Sequence, residues 1–291
     1  MSLVFTLSGS YANNPSDRDL QRGEGCGRIV IGNDRNGNRL VDLYQRSPVR
    51  IMFPRVDGRC MREAVLINTS GGIAGGDRLD YVVTALPRAA ISVTSQAAEK
   101  VYRALQESAR IVTRLKACTE AQLAWLPQET IVFDGGRFRR ETEIDVCSGA
   151  EVLALESLVL GRAAHGERVT GGHITESWRV KKDGRLIFAD CFRVTDKTFA
   201  QLGRNALLAR CNAIATLVYF GPDVDSRLTL LRDITRPLSC HCAATCVNGL
   251  IIVRFAAEMS SPLRLALRTL LEQFGHLLQR TPFGIPKMWS C

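Results

Sequence analysis

The stretch AQLAWL at residues 121–126 returns 29 residues later as AEVLAL at residues 150–155. Each copy has the composition of an apolar strand. Polar residues follow each copy, PQE at 127–129 and ES at 156–157. Strands stacked in layers produce such an echo, because each layer repeats the same buried positions. The two segments therefore predict a layered β architecture.

Alternating patterns and turn signals extend this prediction over residues 1–205. Two hairpins are expected, one turning at Asn36-Gly37 and one at Asp183-Gly184. Asn-Gly and Asp-Gly favour two-residue hairpin turns, whose central residues need positive φ. Every second residue is expected to face inward in three further strands: Val49, Ile51 and Phe53; Ile111, Thr113 and Leu115; Thr142, Ile144 and Val146.

Residues 206–291 have a different pattern. Strands are expected at 213–220 and 250–253, and a helix at 222–236. Ser261 is expected to cap a last helix with Pro262 at its first position. One helix face would carry Leu263, Leu267, Leu270, Leu271, Phe274 and Leu278. The fold class predicted is mainly β, a layered antiparallel or mixed body (1–205) with a strand-helix-strand-helix portion (206–291) packed on it, in one domain over 1–291.

Composition and charge restrict the function classes. The chain has 291 residues, 46% hydrophobic, with a net charge of +9 spread along it. A solvated basic surface is the favoured interpretation, a protein partner the next, and nucleic acid the last. No apolar run approaches the roughly 20 residues of a membrane span, and no basic segment precedes the N-terminal apolar residues. The ten cysteines are interpreted as reduced thiols of a cytoplasmic protein.

A glycine-rich loop, GGIAGGD, occupies residues 71–77. A phosphate-binding loop would need a Lys-Ser/Thr pair after the last glycine, whereas Asp77 places a negative charge there. The favoured interpretation is a tight double turn between strands, since glycine tolerates positive φ.

The segment TSQAAEKVYR at residues 94–103 has two interpretations. It is either a strand ending at Gln96 or a helix beginning near Ser95. Neither supplies a nucleophile with its base.

Several acidic residues could carry chemistry. Glu129 and Asp134 flank a short predicted strand and could act as general acid and base. Glu156, His165 and Glu167 could bind a metal or form an acid–base set. The simpler interpretations are a solvated strand end and a turn with a surface histidine.

Three thiols and an imidazole lie within seven residues: Cys240, His241, Cys242 and Cys246. Soft thiolates suit zinc, copper(I) or nickel. The spacing does not match the C-x2-C pairs of structural zinc sites, so small buried residues before the next strand are favoured.

Five segments together resemble the UreD (UreH) family of urease accessory proteins, in order and spacing, over residues 25–291. They are the loop at 71–77, the segments at 94–103, 125–135 and 161–167, and the tail PKMW at 286–289. The residues that match the family's motifs are Gly71, Gly72, Gly75, Gly76, Asp77, Gln96, Lys100, Tyr102, Arg103, Pro127, Gln128, Gly161, Arg162, Gly166 and Glu167.

The resemblance implies a scaffold without catalysis of its own. It implies a complex with UreF and, through UreF, the GTPase UreG, docked on the urease apoprotein. It implies no tightly bound cofactor, but transient nickel(II) passing through. A passage needs weak, multi-site binding, because a closed site would trap the ion. The candidate lining residues are Asp77, Glu129, Asp134, Glu156 and Glu167. An equally weighted alternative pairs these carboxylates with Arg78, Lys100, Arg103 or Arg162.

Two other function classes stay open at this stage. One is a hydrolase-type enzyme that uses Glu129 and Glu156. The other is an RNA-binding protein, motivated by the +9 charge, although no aromatic-basic interleaving supports it.

Overall fold

The computed structural model describes residues 22–35, 37–54, 62–162, 165–277 and 285–290. The strands are β1 (Glu24–Asp34), β2 (Gly37–Arg46), β3 (Val49–Met52), β4 (Arg62–Asn68), β5 (Arg78–Ala85), β6 (Ala90–Ser95), β7 (Glu99–Val101), β8 (Ala109–Ala117), β9 (Gln122–Trp125), β10 (Thr130–Val132), β11 (Arg137–Val146), β12 (Glu151–Leu160), β13 (His173–Lys182), β14 (Arg185–Thr195), β15 (Ala213–Phe220), β16 (His241–Val247) and β17 (Leu250–Ala257). The helices are α1 (Asp196–Phe199), α2 (Val224–Thr235) and α3 (Ser260–Leu277), and a 3-10 helix spans Lys287–Ser290.

Two layered sheets form the body, which confirms the mainly β fold class. The first has the order β14-β13-β11-β8-β5-β1-β2, and the second has the order β16-β17-β15-β12-β9-β6-β4-β3. From β4 to β13 the chain passes back and forth between the two sheets. Within each sheet, a strand pairs in parallel with the strand that the previous coil placed there. Antiparallel pairs follow at β13–β14 and from β12 through β15 to β17 and β16. The architecture is a solenoid of β coils in which both sheets contain parallel and antiparallel pairs.

The two similar segments that lie 29 residues apart in the sequence are equivalent strands of neighbouring coils of this solenoid. Leu123 on β9 lies directly beside Val152 on β12 in parallel register. The second segment was expected to end at Glu156, but β12 continues to Leu160 and is buried along its whole length. Glu156 therefore lies in the middle of a strand, because the coil's apolar residues resume after it.

Both predicted hairpins are confirmed. β1 pairs with β2 next to Gly37, whose φ is +97°, and Asn36 lies outside the described residues. β13 pairs with β14 through Asp183 (φ +48°) and Gly184 (φ +79°). The three alternating strands are also confirmed, and their expected inward residues are buried except Phe53, which is partly buried and follows the last residue of β3.

The C-terminal portion contains one strand more than expected. His241–Val247 forms β16, an edge strand that pairs with β17, so the order is strand-helix-strand-strand-helix. Cys242 and Cys246 lie on the less exposed face of this edge strand and are only partly buried. The expectation of a buried run of small residues was wrong.

Helices α2 and α3 cover the outer face of the second sheet. Leu231 and Ile234 of α2 are buried there. The predicted face of α3 is buried as well, at Leu263, Leu267, Leu270, Leu271 and Phe274, while Leu278 lies outside the described residues. α3 begins at Ser260, so Ser261 is inside the helix rather than its cap. Among the described residues, no helix combines the length and apolarity needed to cross a bilayer.

Candidate functional site

Four of the five family-like segments coincide largely with the successive long connections of the solenoid. Each joins a strand of the second sheet to the next strand of the first sheet: 69–77, 96–108, 126–136 and 161–172. The return connections are short, at 86–89, 118–121 and 147–150. Because the coils stack, segments far apart in sequence lie together along one edge, which we call the motif edge.

Short ladders hold the motif edge together. β10 pairs in parallel with β7 on one side and with the end of β12 on the other. Ile73 makes a parallel bridge to Val101 in the same stack. The segment at 94–103 is therefore two strands, β6 and β7, and the helical alternative for it was wrong. The loop at 71–77 is a double turn, with positive φ at Gly71 (+75°) and Gly76 (+86°), as expected.

Polar side chains interrupt the apolar interior between the sheets. We call this set the interior belt, and it consists of Tyr81, Thr113, Trp125, Arg140, Thr142, Glu156 and Glu176. Tyr81, Thr113 and Thr142 follow one another across β5, β8 and β11 in register. All three are buried. The sheet therefore carries a polar row through an otherwise apolar core.

Arg140 is the centre of the interior belt. Its side chain is 6% exposed, and its Nη1 lies 2.8 Å from Glu156 Oε2. The same Nη1 donates to Thr130 Oγ1 at 2.8 Å, and Nη2 donates to Glu176, its direct neighbour on β13. One guanidinium thus holds two carboxylates from opposite sheets. Buried charges need such partners, because removing one partner costs about 3–5 kcal/mol.

Glu156 is held on its other side by neutral donors. Trp125 Nε1 donates to Glu156 Oε1 at 2.9 Å, and Thr142 Oγ1 lies 3.5 Å from the same oxygen. Burial raises the pKa of the Glu156 carboxyl, and the Arg140 guanidinium and the Trp125 N–H only partly oppose this shift. Burial, Glu99 and Glu156 together raise the pKa of the Tyr81 hydroxyl.

A cavity of about 310 Å³ lies between the interior belt and the motif edge. Its volume is many times the roughly 10–15 Å³ that one buried water needs. Belt residues line its inner part, and the exposed residues Gln96 and Lys100 line its outer part, so it reaches the surface at the motif edge. Five family-like positions line it: Gly71, Gln96, Lys100, Pro127 and Gln128.

A second carboxylate, Glu99, lines the same cavity. Asn68 Nδ2 donates to both of its oxygens at 3.2 Å. Burial raises the pKa of Glu99, and the hydrogen bond from Asn68 opposes this shift. Thr113 also lines the cavity; it is 1% exposed, and its hydroxyl oxygen has no hydrogen-bond partner among the described residues. A buried polar atom of this kind normally binds water or a ligand.

Of the five carboxylates predicted to form a lining, Glu156 is the one found among the residues that line this cavity. Asp77 instead closes the glycine turn, accepting from the backbone N–H groups of Gly23 and Ala74 at 2.7 Å each. Asp134 accepts from Thr170 and Gly171 in the neighbouring connection.

The remaining two carboxylates form ion pairs. Glu167 pairs with Arg162 through two side-chain hydrogen bonds, at 2.9 and 3.1 Å. Glu129 pairs with Arg264 of α3 at 3.0 Å. The pairing with Arg162 had been considered from the sequence, but the pairing of carboxylates with Arg140 and Arg264 had not. His165 is exposed in a turn and does not extend alongside Glu167.

Aromatic contacts add to the outer motif edge. Tyr102 donates its hydroxyl to the Gly71 carbonyl oxygen at 2.9 Å and packs edge-on against Phe133. The Arg162 guanidinium lies 4.1 Å from the centre of the Phe133 ring. Ala163 and Ala164 of the same family-like segment lie outside the described residues. These contacts join all four of the long connections into one surface.

The thiols that the structure describes do not form a recognisable metal centre. Within the described ranges, no group of three or more His, Cys, Asp or Glu side chains converges as metal ligands would. The eight described cysteines are free thiols, and Cys242 Sγ lies 3.2 Å from the Thr235 carbonyl oxygen. Burial raises the pKa of Cys240 to about 11, which disfavours the thiolate form that binds metals.

The inward positions of Arg140 and Glu176 in the interior belt could have been predicted from the alternation of residues along their strands. Thr142, Ile144 and Val146 face inward on β11, so the same parity turns Arg140 inward. On β13, the inward positions Trp178 and Val180 likewise imply an inward Glu176. A charged residue at an inward position of a strand is a candidate for a functional site. Counting parity along each strand would have identified both residues.

These features define a class of protein: a β solenoid with a paired-charge belt inside and a cavity that opens at its longest loops. A family model described as UreD urease accessory protein matches residues 23–290. A urease accessory protein UreD from Chelativorans sp. (strain BNC1) is 39% identical over 275 residues, covering 94% of this chain and 96% of the relative. Another, from Xanthobacter autotrophicus, is 38% identical over 296 residues, covering 99% of this chain and 100% of the relative. The chain belongs to the UreD urease accessory protein family.

Proposed function

We propose that this chain is a maturation scaffold for urease and is needed to incorporate nickel into its active site. It acts in the cytoplasm on the urease apoprotein, in complex with UreF and, through UreF, with the GTPase UreG. Family membership over nearly the whole chain supports this role. GTP hydrolysis belongs to UreG, and this chain contributes binding and positioning rather than catalysis.

The interior cavity is the part of the chain through which nickel(II) would pass as cargo. The observation that carries this proposal is that five family-like positions and two carboxylates, the partly buried Glu99 and the buried Glu156, line one surface-connected cavity. A divalent cation in transit needs carboxylate, hydroxyl and amide oxygens that each bind it weakly. Glu99, Glu156, Gln96, Gln128 and Thr113 supply these groups. Asp77, Glu129, Asp134 and Glu167 are given structural roles instead.

An enzyme that uses Glu129 and Glu156 is the less favoured alternative. Each of these carboxylates already holds a guanidinium, Arg264 and Arg140 respectively. A general acid or base has to exchange its proton with a substrate, and an ion pair of this kind opposes that exchange. The RNA-binding alternative is supported only by the net positive charge of the chain.

The proposal is tested in cells that express urease with UreF, UreG and either this chain or none. We expect nickel-dependent urease activity to be lost when the chain is omitted, and UreF to be recovered with a tagged copy. Unchanged activity on omission would refute the role in maturation.

A single substitution tests the cavity. Glu156→Gln keeps the side-chain shape, and Arg140 keeps Glu176 as its partner. We expect activation at limiting nickel to fall at least several-fold while the complex with UreF is still recovered. Glu143→Gln, at an outward position of β11, is the matched control and should activate normally. Equal activation by the two variants would exclude a nickel route along Glu156.

A further inference from the structure

Arg140 occupies the position that a cation would take between two carboxylates. Its guanidinium contacts Glu156 from the second sheet and Glu176 from the first, at the wall of the cavity. The two carboxylates belong to different sheets, and the arginine is what joins them. A metal ion that uses these oxygens has to displace the guanidinium first.

Electric charge determines how readily the Arg140 guanidinium could be displaced. With Arg140 in place, two carboxylates and one guanidinium carry a formal net charge of −1. Without it they carry −2 in a buried setting, where an unpaired charge is strongly unfavourable. A divalent cation would neutralise that charge completely. The oxygens around Arg140 would therefore bind a divalent cation tightly if the arginine were absent.

The unpartnered hydroxyl of Thr113 is an independent sign that this region receives a ligand. Its oxygen is buried and without a hydrogen-bond partner among the described residues, in a residue that lines the same cavity. Thr142, next to Thr113 across the strand pair, already contacts Glu156. Hydroxyl oxygens next to carboxylates are suitable ligands for a hydrated divalent cation or for its waters.

We propose that Arg140 is an internal counter-cation that competes with a divalent metal for Glu156 and Glu176 and so keeps the passing ion weakly bound. This inference rests on the proposed function, because it assumes that the cavity admits nickel. It assigns Arg140 a specificity-determining role: the arginine makes the charged interior a place of transit rather than of storage.

The experiment compares full-length wild-type chain with Arg140→Gln, each purified with UreF, using nickel(II) sulfate as the probe. Equilibrium dialysis measures the nickel bound, and thermal unfolding is followed with and without nickel. For Arg140→Gln we expect one additional equivalent of nickel, held at least 10-fold more tightly than any nickel on the wild type. We also expect nickel to raise the melting temperature of the variant more than that of the wild type. A role of Arg140 in packing alone would not produce this metal dependence.

Arg140→Gln/Glu176→Gln is the matched control, because it removes the arginine together with one of its two carboxylates. We expect the additional nickel to be lost in this double variant. If Arg140→Gln does not fold without metal, Arg140→Met decides by the same two measurements, since it removes the same positive charge and replaces the buried side chain by an apolar one. A folded variant that binds nickel no better than the wild type overturns the proposal.

Urease activation separates this inference from the proposed function. If the wild-type chain is dispensable for activation, the maturation role fails, whatever the dialysis shows. If the wild type is needed, we expect Arg140→Gln to reduce activation at limiting nickel and to recover when nickel is in excess. Tight binding with full activation at limiting nickel would overturn the transit role of Arg140.

Discussion

The indole N–H of Trp289 donates to the backbone carbonyl oxygen of Leu126 at 3.0 Å, joining residues 163 positions apart. This contact ties the end of the described chain to the connection that follows β9. The neighbouring Gln128 donates to the Met288 carbonyl oxygen at 3.0 Å and also lines the cavity. The C-terminal 3-10 helix therefore helps to hold one wall of the cavity in place.

Trp289 is expected to be a large contributor to stability, because its side chain is 1% exposed. Trp289→Ala should lower the free energy of unfolding by about 3–5 kcal/mol. Trp289→Phe keeps an aromatic ring but removes the indole donor; the Leu126 carbonyl oxygen still accepts from the Thr94 hydroxyl at 2.8 Å, so the lost hydrogen bond should cost only about 0.5–1.5 kcal/mol. Urea unfolding of the purified chain measures both values. The exposed neighbour provides the control, since Ser290→Ala should change stability by less than about 0.5 kcal/mol. Equal effects at the two positions would contradict this role of Trp289.

Arg264 joins α3 to the same wall. Its Nη1 donates to Gln128 Oε1 and Glu129 Oε2, both at 3.0 Å, and its Nη2 donates to the Trp289 carbonyl oxygen at 3.3 Å. A double-mutant cycle of Arg264→Met and Glu129→Gln should give a coupling energy of about 1–3 kcal/mol, because the pair is partly buried and shares a network.

The pair Arg268–Glu272, on the exposed face of the same helix, is the matched control. Exposed helix pairs of this spacing contribute about 0.3–0.5 kcal/mol. Unfolding in urea is measured for both cycles. A coupling between Arg264 and Glu129 no larger than the control would show that Glu129 is not fixed by this network.

Much of the body could be predicted from local patterns. The similarity between 121–126 and 150–155 corresponds to one coil of the solenoid, because parallel strands one coil apart occupy equivalent buried positions. Both hairpins followed from turn residues, of which Gly37, Asp183 and Gly184 have positive φ in the structure. The boundaries were less predictable: α3 begins one residue before Ser261, and β16 was not expected. An edge strand of small residues and cysteines lacks the alternation that identifies a half-buried strand.

The candidate site was less predictable, because it depends on contacts between coils. Arg140 and Glu176 are neighbours only because β11 and β13 pair with an offset of 36 residues, and no sequence echo marks that step. The contact of Arg264 with Glu129 joins positions 135 apart. The sequence indicated the motif segments and a pairing with Arg162, but not Arg140 and Arg264, which bind Glu156 and Glu129. Only the stacking of the coils brings these groups together.

Gly75 allows the first long connection to lie close to the second. A Cβ atom at this position would lie 2.5 Å from the Glu107 carbonyl oxygen and 2.5 Å from the Ala104 Cβ. Backbone cannot move aside cheaply, so Gly75→Ala should lower the free energy of unfolding by about 1–3 kcal/mol. Gly71→Asn is the control, because Gly71 has φ +75° with open space around it, and asparagine tolerates that conformation. Chemical unfolding should rank Gly75→Ala as clearly the more damaging change. The opposite ranking would mean that conformation, not space, selects glycine in this loop.

Asp134 should make the link between the third and fourth long connections sensitive to acid. Its Oδ1 accepts from the Thr170 backbone N–H at 2.7 Å and from the Thr170 hydroxyl at 2.9 Å. The backbone N–H of Thr170 holds the pKa of Asp134 below its usual value, and the Thr170 hydroxyl and Gly171 N–H act in the same direction.

Because the folded pKa is depressed, the stabilising effect is present above the unfolded pKa of about 3.9 and is lost as pH falls through the folded pKa. Asp134→Asn should therefore melt at a lower temperature than the wild type at pH 7, with the difference shrinking as the pH falls from about 4 towards 2. Thermal unfolding across that range measures the difference. Asp233→Asn removes one negative charge at an exposed site and controls for net charge. A difference at Asp134 that stays constant down to the lowest pH would show that the carboxylate's charge contributes nothing to the link, because a contribution from charge has to vanish once Asp134 is protonated in both states.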